Sequence, residues 1–377
     1  MSAVSERQVP LLDLKAQHAK IRDEVLSAII RVVDSQRFIL GEEVQKFEEE
    51  IAAYCGTKFA VGCASGSDAL FLALLAAGIR TGDRVITTPF TFFATAGAIS
   101  RIGATPVFVD VDARTFNLDP HLVRDALQKH ERVRAIIPVH LFGGCADMDP
   151  ICDAAKESGA VAIEDAAQAI GAEYKGRRAG SMGQMGCFSF FPSKNLGGYG
   201  DGGLLTTNDQ DLAGRLKALR VHGRTGKYIH QWIGINSRLD ALQAAVLRVK
   251  FRYLDEWTRR RQENAEQYRN QISDRGIPIQ PPSPSPEQSR HVYNQCVIRC
   301  ERRDQLQAYL KEHGIGTEVY YPLPLHLQAC YADVGYRAGD FPVSERLAGE
   351  VLALPVNPEV LPEDIEHICA TINTFYA

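Results

Sequence analysis

Apolar residues recur along this chain in two rhythms. Ile21, Val25, Leu26, Ile29, Val32 and Val33 fall at helical spacing across 14–34. After an interruption at 37–41, Val44, Phe47 and Ile51 repeat that spacing across 44–54. Short runs rich in β-branched residues then appear at 58–63, 84–88, 106–110, 133–139 and 160–164. Helical stretches at 67–78, 91–102, 119–129 and 149–158 separate them. This alternation predicts an α/β fold, a mostly parallel central sheet flanked by helices.

Farther on, apolar runs at 187–191 and 204–207 lead to a helix at 209–220, a loop at 221–236 and one long helix at 237–270. Residues 277–288 hold five prolines and read as a linker or surface loop. The tail follows as strand 291–299, helix 302–313, strand 315–320, a loop at 320–326 and two more helices. It predicts a smaller C-terminal α/β domain. The expected division is a large domain at 1–250 and a small one at 251–377.

Composition narrows the partners. Of 377 residues, 45% are hydrophobic and 23% charged, the balance of a soluble globular protein. A net charge of -4 offers no basic field for nucleic acid or an anionic membrane. Small molecules and other copies of the chain remain. The first 17 residues lack a leader's apolar core, and no run is long enough to span a membrane. Nine cysteines are scattered from Cys55 to Cys369, and the one close pair, Cys296 and Cys300, has no histidine cluster beside it. Reduced thiols in a cytoplasmic enzyme without a bound metal are the expectation.

In sheets of this kind ligands gather at the carboxyl ends of the strands. At the first such end, Ala64-Ser65-Gly66-Ser67-Asp68 opens a helix whose N–H groups could seat a phosphate. The plain alternative is a helix cap by Ser67 or Asp68. At the second, Glu164 and Asp165 close an apolar strand on opposite faces, so only one can enter a given pocket. That acid would face a cation such as a protonated ring nitrogen; alternatively both acids cap the next helix. At the third, Lys194 follows a buried strand and lies under five glycines between Gly197 and Gly203. Burial would depress its pKa toward what Schiff-base formation needs, and the glycines would leave space for a planar group. The plain alternative is a solvated loop lysine. The match of 198–203 to G-x-G-x-x-G is set aside, because it precedes a strand instead of following one.

A phosphate seat, a strand-end carboxylate and a desolvated lysine 29 residues beyond it are what pyridoxal phosphate requires of a protein. From Pro10 to the C-terminus the chain also resembles the DegT/DnrJ/StrS family of nucleotide-sugar aminotransferases, which have the type I fold of pyridoxal-phosphate enzymes. The matching segments are FILGEEV (38–44), SGSDAL (65–70), PFTFF (89–93), EDAAQ (164–168), SFFPSK (189–194), GINSRLD (234–240) and YYPLPLHLQ (320–328).

The resemblance implies that Lys194 forms the internal aldimine and shuttles a proton, Asp165 pairs with the pyridine nitrogen, and Gln168 sits near the phenolic oxygen. It implies Phe92 stacked on the ring and Gly66, Ser67 and Ser189 on the phosphate. It brings Asn236 to the phosphate of a neighbouring subunit, hence a homodimer with shared active sites. Arg238, Tyr320, Tyr321 and His326 fall where relatives contact the sugar nucleotide or the donor carboxylate; packing between the domains is the alternative for the tyrosines. Histidine would stand at position 194 in the related sugar 3-dehydratases, so Lys194 points to transamination.

The expected reaction takes an amino group from L-glutamate to a keto carbon, carbon 3 more than carbon 4, of a UDP- or dTDP-linked ketosugar. 2-Oxoglutarate leaves, with pyridoxamine phosphate between the half-reactions. Two rivals are a lyase or desulfurase using a cysteine such as Cys187, and a regulator that binds the cofactor without turnover.

Overall fold

The computed structural model describes residues 7–377. Its N-terminal half contains β1 (Phe59–Cys63), β2 (Arg84–Thr87), β3 (Thr105–Phe108), β4 (Val133–Ile136) and β5 (Val161–Asp165). A small hairpin follows, β6 (Glu173–Tyr174) with β7 (Arg177–Arg178), and then β8 (Met185–Ser189) and β9 (Gly203–Thr207). Seven of these form one sheet in the order β1-β9-β8-β5-β4-β2-β3. Only β9 runs against its neighbours, so the other six end at the same edge. This is the mostly parallel sheet that the alternation predicts.

α1 (Leu14–Ser35) packs on α8 (Ala241–Phe251), which with α2 (Glu42–Cys55), α3 (Gly66–Ala76), α4 (Ala94–Arg101), α5 (Pro120–Lys129), α6 (Met148–Ser158) and α7 (Gln210–Leu219) covers the two faces of the sheet. Alternation along each strand feeds two separate cores. Ile86, Ala162, Phe188 and Leu204 join α2, α5, α6 and α8 on one side. Val85, Ile163, Cys187 and Leu205 join α3, α4 and α7 on the other.

The rest of the chain comprises a hairpin, β10 (Arg224–Gly226) with β11 (Ile229–His230), then α9 (Leu254–Asp274), β12 (Ile279–Gln280), β13 (Cys296–Cys300), α10 (Arg303–Glu312), α11 (Pro342–Glu350), β14 (Val351–Leu354) and α12 (Pro362–Tyr376). β12, β13 and β14 make a three-stranded antiparallel sheet. α9 and α12 build a third core on it. Asp110, just past β3, ties the two parts. Its carboxylate accepts from the backbone N–H groups of Val343 and Ser344, both at 2.9 Å, and from the Ser344 hydroxyl at 2.6 Å, and so caps α11 from outside.

Several expected elements differ. The helix at 237–270 is two helices. It breaks at Arg252–Tyr253, where the chain leaves the sheet core (Ala244, Leu247) for the C-terminal one (Ala265, Tyr268, Ile272). Segment 315–320 is no strand; it makes single bridges from Ile315 to Val9 and from Glu318 to Ala353. The bridge to Ile315 draws Val9 into the C-terminal core, across the division expected at 250 and 251. The reading of the N-terminus concerns in part residues 1–6, outside the described ones. Among the described residues no helix is long and apolar enough to cross a membrane.

Candidate active site

A cavity of about 710 Å³ opens at the edge where the six parallel strands end, with 318–322 of the C-terminal part as its outer wall. Each strand end contributes. Asp165 is the last residue of β5 and Ser189 of β8, while Ser65, Gly66 and Ser67 lie just past β1, and Thr91 and Phe92 just past β2.

Asp165 and Glu164 part company as strand alternation requires. Asp165 is buried yet lines the cavity. The Thr95 hydroxyl donates to its Oδ2 at 2.7 Å, and the Ala167 N–H to its Oδ1 at 3.2 Å. Burial still raises its pKa, against the pull of those bonds and of Lys194. Among the described residues no basic side chain lies within ion-pair distance of it, so a protonated ring nitrogen would find an acid in want of a cation.

Glu164 points away and is wholly buried. It accepts from the N–H groups of Gly180 and Met182, both at 2.7 Å, from Gly183 at 2.6 Å, and from His140 Nε2 at 2.9 Å. Neither acid caps a helix, since β5 runs into a turn.

Lys194 faces the same cavity from a turn closed by its own N–H on the Phe191 carbonyl at 2.9 Å. Its amine is pushed down to about 8, because lost hydration outweighs the attraction of Asp165. The expected depression is present; the expected reason for the glycines is not. A side chain at Gly197 would strike the Pro192 carbonyl at 2.2 Å, and one at Gly203 the Ser65 backbone at 2.3 Å. At Gly198 and Gly200 it would strike the Gln243 amide, at 2.8 and 2.9 Å. These glycines make room for the protein's own groups; of the five only Gly202 lines the cavity.

The cap of α3 is Ser65, not Ser67 or Asp68: its Oγ accepts from the Asp68 N–H at 3.1 Å. The N–H groups at Gly66 and Ser67 begin the helix and have no partner within it, which suits a phosphate. A Cβ on Gly66 would come within 2.6 Å of the Ser189 Cβ, so glycine lets the ends of β1 and β8 converge on one spot.

Gln168 accepts the Phe142 N–H at 2.6 Å and donates to the Tyr321 hydroxyl at 3.2 Å. Phe92 is 59% exposed, its ring centroid 6.3 Å from that of Tyr321. Tyr320 and Tyr321 line the outer wall.

Three expected residues stay out of this cavity. Asn236 is exposed and bridges Val221 through its backbone, and Arg238 is half-buried beside it. His326 is buried against Phe341 and bonds Glu345 at 3.1 Å, bracing the turn before α11. His326 therefore lies outside this cavity, packed within the C-terminal part. Cys187 lies in β8 within the α3 core, where burial holds its thiol well above the usual range, and it offers no nucleophile.

Sequence reading missed Thr95, His140, Asp201, Gln295 and Glu318. The i, i+4 pair Thr91 and Thr95, 3.1 Å apart, was the one signal at hand.

A strand-end acid, a helix N-terminus and a lysine of lowered pKa facing one cavity define the class: a pyridoxal-phosphate-dependent aminotransferase. The chain belongs to the DegT/DnrJ/EryC1/StrS aminotransferase family, whose pattern matches residues 19–373. The family includes nucleotide-sugar aminotransferases. A Streptomyces venezuelae relative named dTDP-3-amino-3,4,6-trideoxy-alpha-D-glucose transaminase is 45% identical, over 94% of this chain and 92% of its own. A Geobacillus stearothermophilus relative named pleiotropic regulatory protein is 50% identical, over 98% of both chains. The crystal structure of S. venezuelae DesV, solved with a ketimine intermediate, matches with a TM-score of 0.94 and 44% identity over 98% of each chain.

Proposed function

We propose that this enzyme moves the amino group of L-glutamate to carbon 3 of a dTDP- or UDP-linked ketosugar, as a cytoplasmic homodimer with shared active sites. The observation that carries the reading is Lys194 and Asp165 opening onto one cavity at the strand ends. Carbon 3 and the dTDP link draw support from the name of the Streptomyces relative.

When bound, pyridoxal phosphate supplies an electron sink for the carbon that loses or gains the amine. Asp165 keeps the ring nitrogen protonated, and Thr95 orients that carboxylate. Phe92 would lie against the ring, and Gln168 would reach the phenolic oxygen. Gly66, Ser67 and Ser189 take the phosphate. Lys194 would hold the cofactor's aldehyde, and its amine, a base close to neutrality, would carry a proton to and from the substrate carbon. Tyr320 and Tyr321 wall the substrate side.

Charge supports the dimer. Among the described residues Lys194 is the single cation lining the cavity, against Asp165, Asp201 and Glu318. A cofactor phosphate, a nucleotide diphosphate and the donor carboxylates need more positive charge than that. Asn236 and Arg238, outside their own cavity, would serve the partner's. All nine cysteines are unpaired thiols, in keeping with a reducing compartment.

The test is a screen of UDP-, dTDP- and GDP-linked 3-keto and 4-keto hexoses, read as 2-oxoglutarate released from glutamate. Release with 3-keto sugars on UDP or dTDP is expected; release with 4-keto sugars alone would overturn the position. The regulator reading has only the Geobacillus relative's name behind it. Visible absorbance that glutamate bleaches and a ketosugar nucleotide restores would exclude it.

A further inference from the structure

We infer that Gln243 and Lys250, seven residues apart on one face of α8, are positioning residues for Lys194. The inference rests on the role proposed for that lysine. Seven residues span nearly two helical turns, so both side chains leave α8 in almost the same direction.

What they meet is the loop just past Lys194. Gln243 accepts the Tyr199 N–H at 2.8 Å and returns an N–H to the Tyr199 carbonyl at 3.1 Å. Lys250 is buried, and its Nζ donates to the Gly197 carbonyl at 2.5 Å. The turn also closes on itself, Gly198 N–H donating to the Phe190 carbonyl at 2.8 Å. Glycine at 197 and 198 lets it lie flat on Pro192 and on the Gln243 amide. The glycines and the two α8 side chains are thus parts of one arrangement. It extends to the phosphate seat, because Ser237, just ahead of α8, accepts the Ala64 N–H at 3.1 Å.

A buried amine is a costly way to fill space. No carboxylate pairs with Lys250 among the described residues; the rings of Tyr199 and Trp257 lie 5.4 and 5.9 Å away, and Lys250 shares a groove with Lys15, Gln17 and His18 of α1. An apolar side chain of the same length would pack there without losing hydration. The amine adds a directed bond that fixes where the Gly197 carbonyl points, and with it the turn that starts at Lys194.

The test uses Lys250→Met and Gln243→Leu, which keep length and remove the polar ends, with Lys250→Arg beside them. The first readout is hydrogen exchange of amides 191–200 in cofactor-free protein; the second is the pH titration of visible absorbance after loading. Exchange across 194–200 should quicken about tenfold in the Met and Leu variants while β5 stays protected. The titration midpoint should move by about half a unit, and kcat should fall more than donor KM changes. Arginine, with its planar fork, should not restore the lysine values.

Exchange and titration equal to those of the unaltered protein would overturn the inference, as would exchange quickened equally through the whole sheet. Should Lys250→Met fail to fold, Gln243→Leu decides alone. Borohydride reduction of the loaded, unaltered protein should label Lys194. A label elsewhere would sink the reading of Lys194, and the exchange result would still report whether α8 holds the turn.

Discussion

His140 donates from Nε2 to Glu164 across 2.9 Å, and the direction of that bond is fixed by Ala146, whose N–H occupies Nδ1 at 3.1 Å. A ring nitrogen that accepts carries no proton, so the imidazole is neutral and its one proton sits on the Glu164 side. His140 also donates its backbone N–H to the Asp165 carbonyl at 3.0 Å. One residue therefore steadies both acids at the end of β5. Replacing Glu164 with leucine would leave three backbone N–H groups and the imidazole without acceptors. A loss of about 3–5 kcal/mol in denaturant unfolding is expected. A loss under about 1 kcal/mol would mean that the network adds little.

Lys194 gives a prediction about pH. Its folded value, about 8, lies below the ordinary 10.5, so at intermediate pH the unfolded chain holds a proton that the folded one has shed. The contribution of this group to stability is thus unfavourable below about 8, rises with pH between about 8 and 10.5, and is level above. Acylation of Lys194 in cofactor-free protein should follow a midpoint near 8. Asp165→Asn should lower that midpoint, because the carboxylate's attraction is what holds it up. A midpoint at the value of a surface lysine would refute the desolvated amine. With cofactor, Lys194→Ala should fold and load but show no turnover.

Thr95 acts on the other partner. Its hydroxyl is one of two donors on Asp165. Thr95→Val keeps the shape and removes the donor, so the Asp165 pKa should climb further. A carboxyl that holds its charge less firmly is a poorer partner for a ring nitrogen. A fall of about tenfold in kcat is expected, with less change in donor KM. An unchanged kcat would mean that Ala167 alone orients the acid.

What the sequence disclosed was chemistry tied to a single place. Residue type and position alone singled out Lys194 after a buried strand and Asp165 at the end of another, and strand alternation separated Asp165 from Glu164 without help. Links between distant segments were not legible. Thr95 meets Asp165 across 70 residues and His140 meets Glu164 across 24, and no spacing rule spans such gaps. The glycines beyond Lys194 misled for a related reason. They record what lies against them, and Gln243, 45 residues past Gly198, is invisible locally. The helix through 237–270 broke because its apolar residues serve two cores, a tertiary fact that periodicity does not encode.

Asp110 offers a prediction about how the two parts of the chain move. It stands just past β3 of the sheet, yet it caps α11 and takes the Ser344 hydroxyl at 2.6 Å. The outer wall of the cavity, 318–322, is joined to that same part through the Glu318 bridge to Ala353 on β14, directly after α11. Loosening the cap should therefore reach the cavity through its wall. Asp110→Ala should cost about 1–2 kcal/mol in stability, the usual effect of a lost cap. It should also raise KM for the sugar nucleotide more than it lowers kcat, because Lys194 and Asp165 stay on the sheet while Tyr320 and Tyr321 move with the wall. Asp110→Asn keeps one acceptor and should fall between the two proteins in both measurements. If Asp110→Ala lowers stability with KM and kcat both unchanged, the cap holds the small part together without setting the width of the cavity.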